Sequence, residues 1–407
     1  MVNAQGVRAV TCVRRRQPIA ILTAMLATGA AVAAAISWPE ALHDAKSIVS
    51  AALPGLHAGL AWFAGKSIEN IAHNALALLA VPVTYGDRLH WVNIAGFLVF
   101  SAIALLVHRH AGSRMRLRSF LRFVFPPEYY GHRSAMVDYQ IFLINHVLAP
   151  AKLVTRALSD MAMAGLILTA LTTAFGPPVG MALPAAGGLL LYTLLVVLVA
   201  DFAGWAGHGI MHRVPVLWEF HKLHHSAEVL TPITYYRIHP VEEVVVAAVS
   251  VLISGSFSGV LAYLLFEQPS LLTIFGVNIV VAPFQLVGNL RHSHIWLSWG
   301  PVTSRILISP AQHQIHHSAD PKHRGRNYGS IFAIWDWMFG TLYVPREKEE
   351  LKFGLPEPSP HATVRAAYIA PFRAATDVLL RPLARRGSRR PLSTEVTTAT
   401  ASHQDAG

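Results

Sequence analysis

Apolar residues in this chain fall into long runs separated by basic clusters, not into the narrow stripes of a soluble helix or the alternation of a half-buried strand. The first run, Pro18 to Ile36, follows Arg14, Arg15 and Arg16. It reads either as a cleavable signal or as an uncleaved anchor, and both readings start the residues after Ser37 on the outer side. From Ala51 to Tyr85 the apolar stretches are broken by Pro54, Lys66, Glu69 and Pro82 and suit either spanning or interfacial segments. Trp91 to Val107 is a clearer span, and Arg109, Arg114, Arg116, Arg118 and Arg122 fix its far end in the cytoplasm. Asp138 to Val154 has the pattern of an amphipathic interfacial helix.

Two hairpin-like pairs follow, Ser159 to Phe175 with Leu183 to Ala200, and Val244 to Phe266 with Leu271 to Val287. Their linkers, Gly176 to Ala182 and Glu267 to Ser270, hold no Lys or Arg, whereas the loops after each pair do. Both hairpins are therefore expected to open toward the cytoplasm. From Arg373 to Arg390 the chain is basic and then polar to Gly407, the pattern of a surface-attracted segment running into disorder.

Composition sharpens this picture. Of 407 residues, 53% are hydrophobic and 14% charged, against roughly 25% charged in soluble domains, so an integral membrane protein is expected. The formal charge of +11 would suggest nucleic acid in a soluble protein. Here the basic residues sit beside apolar runs as cytoplasmic loops do, and no nucleic-acid partner is expected. A single cysteine, Cys12, excludes an intramolecular disulfide and a thiolate metal cage. The 22 histidines equal the 22 carboxylates, and twelve of them lie between His208 and His323.

Those twelve are not scattered. His208 and His212 are four apart; His221, His224 and His225 form one HxxHH group; His313, His316 and His317 form another; and His292 and His294 lie between them. On a helix, positions three and four apart share a face, so each group aims its imidazoles into one volume. One such histidine is usually a satisfied polar residue, but several groupings in a chain poor in charge point to metal ligation. The eight histidines of the HxxxH and two HxxHH groups, with His292 added, exceed the ligand set of one ion, which implies two metals. Nitrogen ligation suits Fe, Zn, Cu or Ni, and spacing alone does not choose among them. A ligating imidazole donates its other N–H to a carboxylate or carbonyl. Asp201, Glu228, Glu242 and Asp336 are candidates for that duty, with the plain helix cap or interfacial charge as the competing reading for each. Asp201 stands seven residues before His208 on the same helical side.

The stretch Asp201, Trp205, His208, His212, Leu217-Trp218-Glu219-Phe220-His221-Lys222-Leu223-His224-His225-Ser226 resembles the fatty acid hydroxylase / sterol desaturase superfamily of membrane non-haem di-iron oxygenases. So do Arg237-Ile238-His239-Pro240 with Glu242, His292-Ser293, Ser309-Pro310 with His313-Gln314-Ile315-His316-His317-Ser318, Asn327-Tyr328-Gly329, and Trp335-Asp336 with Phe339-Gly340-Thr341. The likeness runs from about Arg133 to Tyr343 in matching order and spacing. It implies an all-α integral membrane protein, with transmembrane hairpins and a cytoplasmic helical cap around a histidine-rich dimetal site. By the same resemblance, two iron ions, or zinc in the purified protein, would be held by His208, His212, His221, His224, His225, His292, His313, His316 and His317. His239 matches a position that only some subfamilies fill with histidine, and is read either as a ligand or as a group behind one. His294 stands where many relatives carry Asn, and His323, which matches no motif, is expected to be solvated. Asp201 and Asp336 are the carboxylates expected to serve the catalytic centre.

The activity implied is O2-dependent hydroxylation or desaturation of a membrane lipid, with electrons from a separate carrier protein and its reductase, since no cytochrome b5-like segment is present. Trp205, Tyr235, Tyr236, Phe284, Trp296 and Trp299 are read as an interfacial aromatic belt or, alternatively, as the lining of a lipid path. Three divisions are expected: residues 1–125 as an N-terminal membrane region, 126–345 as the catalytic domain and 346–407 as a basic tail. The Ala- and Arg-rich usage suggests a bacterial inner membrane with the histidines on the cytoplasmic side. The competing readings are an alkane-hydroxylase type of di-iron monooxygenase and a non-catalytic histidine-rich metal-binding or transport protein. Against the last, transporters place ionisable ligands near the midplane, whereas these histidines flank the spans.

Overall fold

The structure is a computed structural model that describes residues 77–84, 87–108, 116–148, 160–178, 185–265, 273–274, 277–355 and 361–387. The expected run Pro18 to Ile36 and most of Ala51 to Tyr85 lie outside the described residues. Within them the chain is helical: α1 (Trp91–His108), α2 (Leu117–Val124), α3 (Arg133–Leu148), α4 (Asp160–Phe175), α5 (Ala185–Arg213), α6 (Pro215–His225), α7 (Pro240–Ser250), α8 (Ser256–Leu265), α9 (Ala282–Gly288), α10 (Pro310–His316), α11 (Ile334–Met338) and α12 (Val364–Gly387). One antiparallel pair of two-residue strands joins Thr273–Ile274 to Val277–Asn278.

Two stretches are long and apolar enough to cross a membrane, Gly187–Arg213 in α5 and Pro240–Leu264, in which a single π turn, Val251–Gly255, joins α7 to α8. Only 33% and 28% of their most apolar windows are buried inside the protein. The remaining side chains, Leu190, Leu194, Leu252 and Leu264 among them, face outward. Outward apolar surface of that extent belongs in lipid. The 29 residues of α5 rise about 43 Å at 1.5 Å each, more than the roughly 30 Å of a hydrocarbon core. Its final turns therefore leave the apolar layer, and they carry His208 and His212.

Close helix packing sets the membrane layer. A Cβ on Gly255 would stand 2.6 Å from Met163 Cβ, and one on Gly259 would stand 2.6 Å from Ala164 O. These two glycines, one turn apart, let the α8 region lie directly on α4, the small-residue contact by which helices associate in lipid. The helix α5 packs on α7 and α6, α1 on α9, and α12 on α6.

Two sequence expectations are corrected and one is made specific. Leu271 to Val287, expected as the second arm of a hairpin, holds the short strand pair and then α9, which starts at Ala282 with Pro283 in its first turn. The stretch from Asp138, expected as an interfacial helix, packs one face into the protein: Asp138 is buried, and Val137 and Ile141 of α3 pack with Leu223 and Ala367, while Gln140 and Leu143 stay exposed. From Val364 to Gly387 the expected basic tail is helix α12, whose Ala367 and Ala375 are buried against α3, α5 and α6.

Candidate metal centre

Local sequence fixes where each histidine points. Helix α6 begins at Pro215, whose missing N–H costs nothing in a first turn, and α10 begins at Pro310 in the same way. Ahead of α10, Ser309 Oγ accepts from Gln312 N at 3.2 Å, while Ser309 N donates to Gln312 Oε1 at 2.9 Å. This capping box locks the phase of the helix, and with it His313, His316 and the cap residue His317. Asn327, the sole described non-glycine at positive φ (56°), ties the following loop down by donating from Nδ2 to Gln312 O and Tyr343 O.

The result is two adjoining groups of imidazoles. His208, His212, His221, His225 and His316 bring one ring nitrogen each to within 4.8 Å of one another, and His224, His292, His313 and His317 do the same. Each short helix feeds both groups: α6 gives His221 and His225 to the first and His224 to the second, and α10 gives His316 to the first and His313, with its cap His317, to the second. The groups touch where the His225 and His317 rings stack at 4.7 Å.

The nitrogens are arranged as donors toward shared points. His221 Nε2 and His225 Nε2 are 3.1 Å apart, His224 Nε2 and His292 Nε2 3.3 Å, His292 Nε2 and His313 Nε2 3.1 Å, and His313 Nε2 and His317 Nε2 3.2 Å. Two donors bound at about 2.1 Å to one ion and roughly 95–105° apart would stand about that distance from each other. The opposite ring nitrogens explain why Nε2 is the free one. His208 Nδ1 donates to Tyr328 O at 2.9 Å, His316 Nδ1 to Arg326 O at 2.8 Å, His224 Nδ1 to Arg237 O at 3.3 Å, and His221 Nδ1 to Glu242 Oε1 at 2.7 Å. Meanwhile His212 Nε2 and His316 Nε2 are buried without a hydrogen-bond partner. These orphaned lone pairs in the first group, and the closely paired Nε2 atoms of the second, fit a metal ion in each group.

Protonation is consistent with that. Burial, then the neighbouring histidines, hold His224, His225, His313 and His317 well below the ordinary imidazole range. Burial, with the nearby Arg88 and Arg291, does the same to His292. Burial takes His316 down to about 3. The rings are neutral bases, the form in which imidazole ligates.

The carboxylates expected at the centre sit behind it. Asp336 accepts from Tyr328 N (3.0 Å), Gly329 N (2.8 Å) and Trp205 Nε1 (3.1 Å), so it reaches His208 only through the Tyr328 peptide. A Cβ on Gly329 would stand 2.6 Å from Phe332 O and 3.0 Å from Asp336 Oδ2, so the turn closes only on glycine. Asp201 accepts from Ile331 N, Phe332 N and Trp335 Nε1 and touches no histidine. Glu242 is the carboxylate that meets a ring directly, whereas Glu228 lies 3.9 Å from His132, away from the cluster.

Outside both groups, His239 caps α7, with Nδ1 accepting from Val241 N and Nε2 3.3 Å from Tyr368 O. His294 lies 2.7 Å from Phe123 O and packs on Tyr129. His323, expected in solvent, is buried on Tyr343 with Nε2 3.2 Å from Glu349. Of the aromatic candidates, Trp205 is buried and stacks on Phe339, Trp296 packs on Ala311 and Ile315, and Trp299 Nε1 donates to Ile308 O. Phe284 faces Phe332, Tyr236 donates to Asp87, and Tyr235 lies under Arg88. Sequence reasoning did not single out the carbonyls of Arg237, Arg326 and Tyr328, because a backbone acceptor leaves no mark in residue type. Tyr328, which it took only as part of the Asn327-Tyr328-Gly329 motif and gave no role, packs its ring 4.9 Å from that of His212.

Residues 193–341 match the fatty acid hydroxylase family model, a range that contains every histidine of both groups. The chain is similar to alkylglycerol monooxygenase of Xenopus tropicalis, 32% identical over 165 residues, which are 40% of this chain and 33% of that protein. It is similar to alkylglycerol monooxygenase of Caenorhabditis elegans, 26% identical over 180 residues, 44% of this chain and 32% of that one. It is also similar to ornithine lipid hydroxylase of Rhizobium tropici, 28% identical over 162 residues, 40% of this chain and 45% of that protein. The match thus spans about a third of the alkylglycerol monooxygenases and under half of the ornithine lipid hydroxylase. No solved structure matches the chain.

Proposed function

From the membership of residues 193–341 in the fatty acid hydroxylase family, we propose that the chain hydroxylates a membrane lipid with O2 at two iron ions. His208, His212, His221, His225 and His316 would hold one, and His224, His292, His313 and His317 the other. The carrying observation is the convergence of nine imidazoles into two adjoining groups at the end of a membrane-spanning helix. Relatives whose names record monooxygenases and a hydroxylase support oxygen insertion over desaturation.

When bound, iron supplies the activation of O2 and the attack on an unactivated C–H bond that no side chain provides. The protein's own groups prepare the place. Glu242 accepts the Nδ1 proton of His221 and makes its Nε2 a stronger donor, and the carbonyls of Tyr328, Arg326 and Arg237 fix the rings of His208, His316 and His224. Asp336 and Asp201 hold the 328–335 loop that presents the Tyr328 carbonyl. Because α5 runs unbroken from lipid-facing leucines to His208, a lipid lying along it would reach the histidines without crossing water. Electrons would come from a separate carrier protein and reductase, and the histidine face would lie in the cytoplasm of a bacterial inner membrane.

Comparative lipid mass spectrometry of cells with and without the gene tests this reading, together with metal analysis of the purified protein. About two irons per chain and a lipid heavier by one oxygen are expected. Exchangeable zinc with no altered lipid would replace the oxygenase with a metal-binding protein.

A further inference from the structure

Beside the second histidine group lie two cations that the proposed chemistry leaves unused. Arg291 is 5% exposed, its Nε is buried without a partner, and among the described residues its guanidinium makes no hydrogen bond or ion pair. Burying an arginine unpaired is costly, and proteins ordinarily meet that cost with a carboxylate. The acidic group that acts on it, Asp201, makes no ion pair with it and spends both oxygens on Ile331, Phe332 and Trp335. A second guanidinium lies close by. Arg88, just ahead of α1, has its Nη1 so near Gly288 that a Cβ there would stand 1.7 Å from it, and Gly288 O in turn accepts from Arg291 N at 3.3 Å. The Arg88 side chain also has no hydrogen-bond or ion-pair partner among the described residues. Its placement is fixed by Asn289 Nδ2 donating to Arg88 O at 2.9 Å, and by Arg88 N donating to Tyr236 Oη at 3.1 Å.

The two like charges lie near enough for Arg88 to act on Arg291 electrostatically. Between Arg88 and the histidines stands Tyr235, whose ring carries Arg88 Cζ at 4.8 Å and lies 6.0 Å from the His292 ring. A planar fork of N–H donors suits phosphate and carboxylate oxygens, and two forks facing one volume suit an oxyanion that bridges them.

We propose that Arg88 and Arg291 form a binding site for an oxyanion, the phosphate or carboxylate of the substrate lipid's headgroup, which it anchors beside His292. The inference rests on the lipid-hydroxylase reading for the identity of the ligand. It predicts that the oxidised carbon lies only a few bonds from the charged group, and that a neutral lipid of the same chain length is a poor substrate.

Binding to the full chain in detergent micelles tests it, with isothermal titration of dihexanoyl phosphatidic acid, dihexanoylglycerol and inorganic phosphate. The phosphatidic acid should bind about tenfold or more tightly than the neutral diacylglycerol. Arg88→Gln should abolish that preference and Arg88→Lys should keep part of it. Arg291→Gln acts in the same direction, and should it misfold, Arg88→Gln at its partly exposed position decides alone. Inorganic phosphate binding as tightly as the lipid, and lost in the same variant, upholds the oxyanion site and assigns it to the free ion. Equal affinity for charged and neutral lipid, or a preference untouched by Arg88→Gln, overturns the site. Since binding is read without turnover, that result leaves the hydroxylase reading standing, whereas anion binding by a protein that oxidises no lipid refutes the hydroxylase reading alone.

Discussion

His316 illustrates how much one position is asked to do: it is buried, neutral, held from behind by Arg326 O, and aimed at the first group. His316→Ala is expected to lose iron from that group and abolish the lipid mass change while the protein still inserts. Full turnover in the variant rejects the ligand assignment. Glu242→Gln keeps the shape of the contact to His221 but removes its charge. It should weaken metal binding by about 10–100-fold, read as the chelator concentration needed to strip iron. At this scale the sequence is most legible, because ligation demands imidazoles at helical spacing and that spacing is visible in HxxxH and HxxHH. What supports the rings is less so. Asp201 and Asp336 stood out as carboxylates near the motifs, yet both bond chiefly to the 328–335 loop, a contact that depends on how the loop folds back and not on any spacing along the chain.

At the scale of elements, a buried ion pair holds the cap together. Arg237 Nη1 meets Asp138 Oδ1 of α3 at 2.7 Å, its Nε donates to Leu223 O of α6, and Asp138 Oδ2 accepts from Thr234. Removing one partner strands the other charge, so Asp138→Ala is expected to cost about 3–5 kcal/mol, seen as a lowered Tm of the purified protein. Arg237 also presents its carbonyl to His224, so the same variant should loosen the second group. In the membrane layer, Gly259→Leu would drive a side chain into Ala164 and Ile167 and separate α8 from α4. Its reduced thermal stability should exceed that of Gly165→Leu, where nothing stands within 4 Å. Hydropathy located α5 and the α7–α8 span well, because a long apolar run has few folded alternatives in lipid. It misjudged Leu271 to Val287, where Asn278 and Pro283 break a run of similar composition into a strand pair and a short helix. It also misjudged α12, whose burial depends on small alanines set among arginines.

Across the whole molecule, acid should act on the fold as well as on the metal. Burial, with Arg237 and Lys222 nearby, lowers His361 to about 4 from 6.5. A histidine kept neutral in the fold contributes fully above its unfolded value and loses that contribution as pH falls from 6.5 toward 4. His361→Gln is therefore expected to flatten the fall of Tm across that window relative to the parent protein, and an unchanged slope would dismiss the role. A larger consequence follows from the way α6 and α10 each serve both histidine groups. Ordering either helix around a first ion sets the rings that await the second, so uptake should be cooperative. Native mass spectrometry at half the saturating iron should find empty and doubly filled chains, with few carrying a single ion.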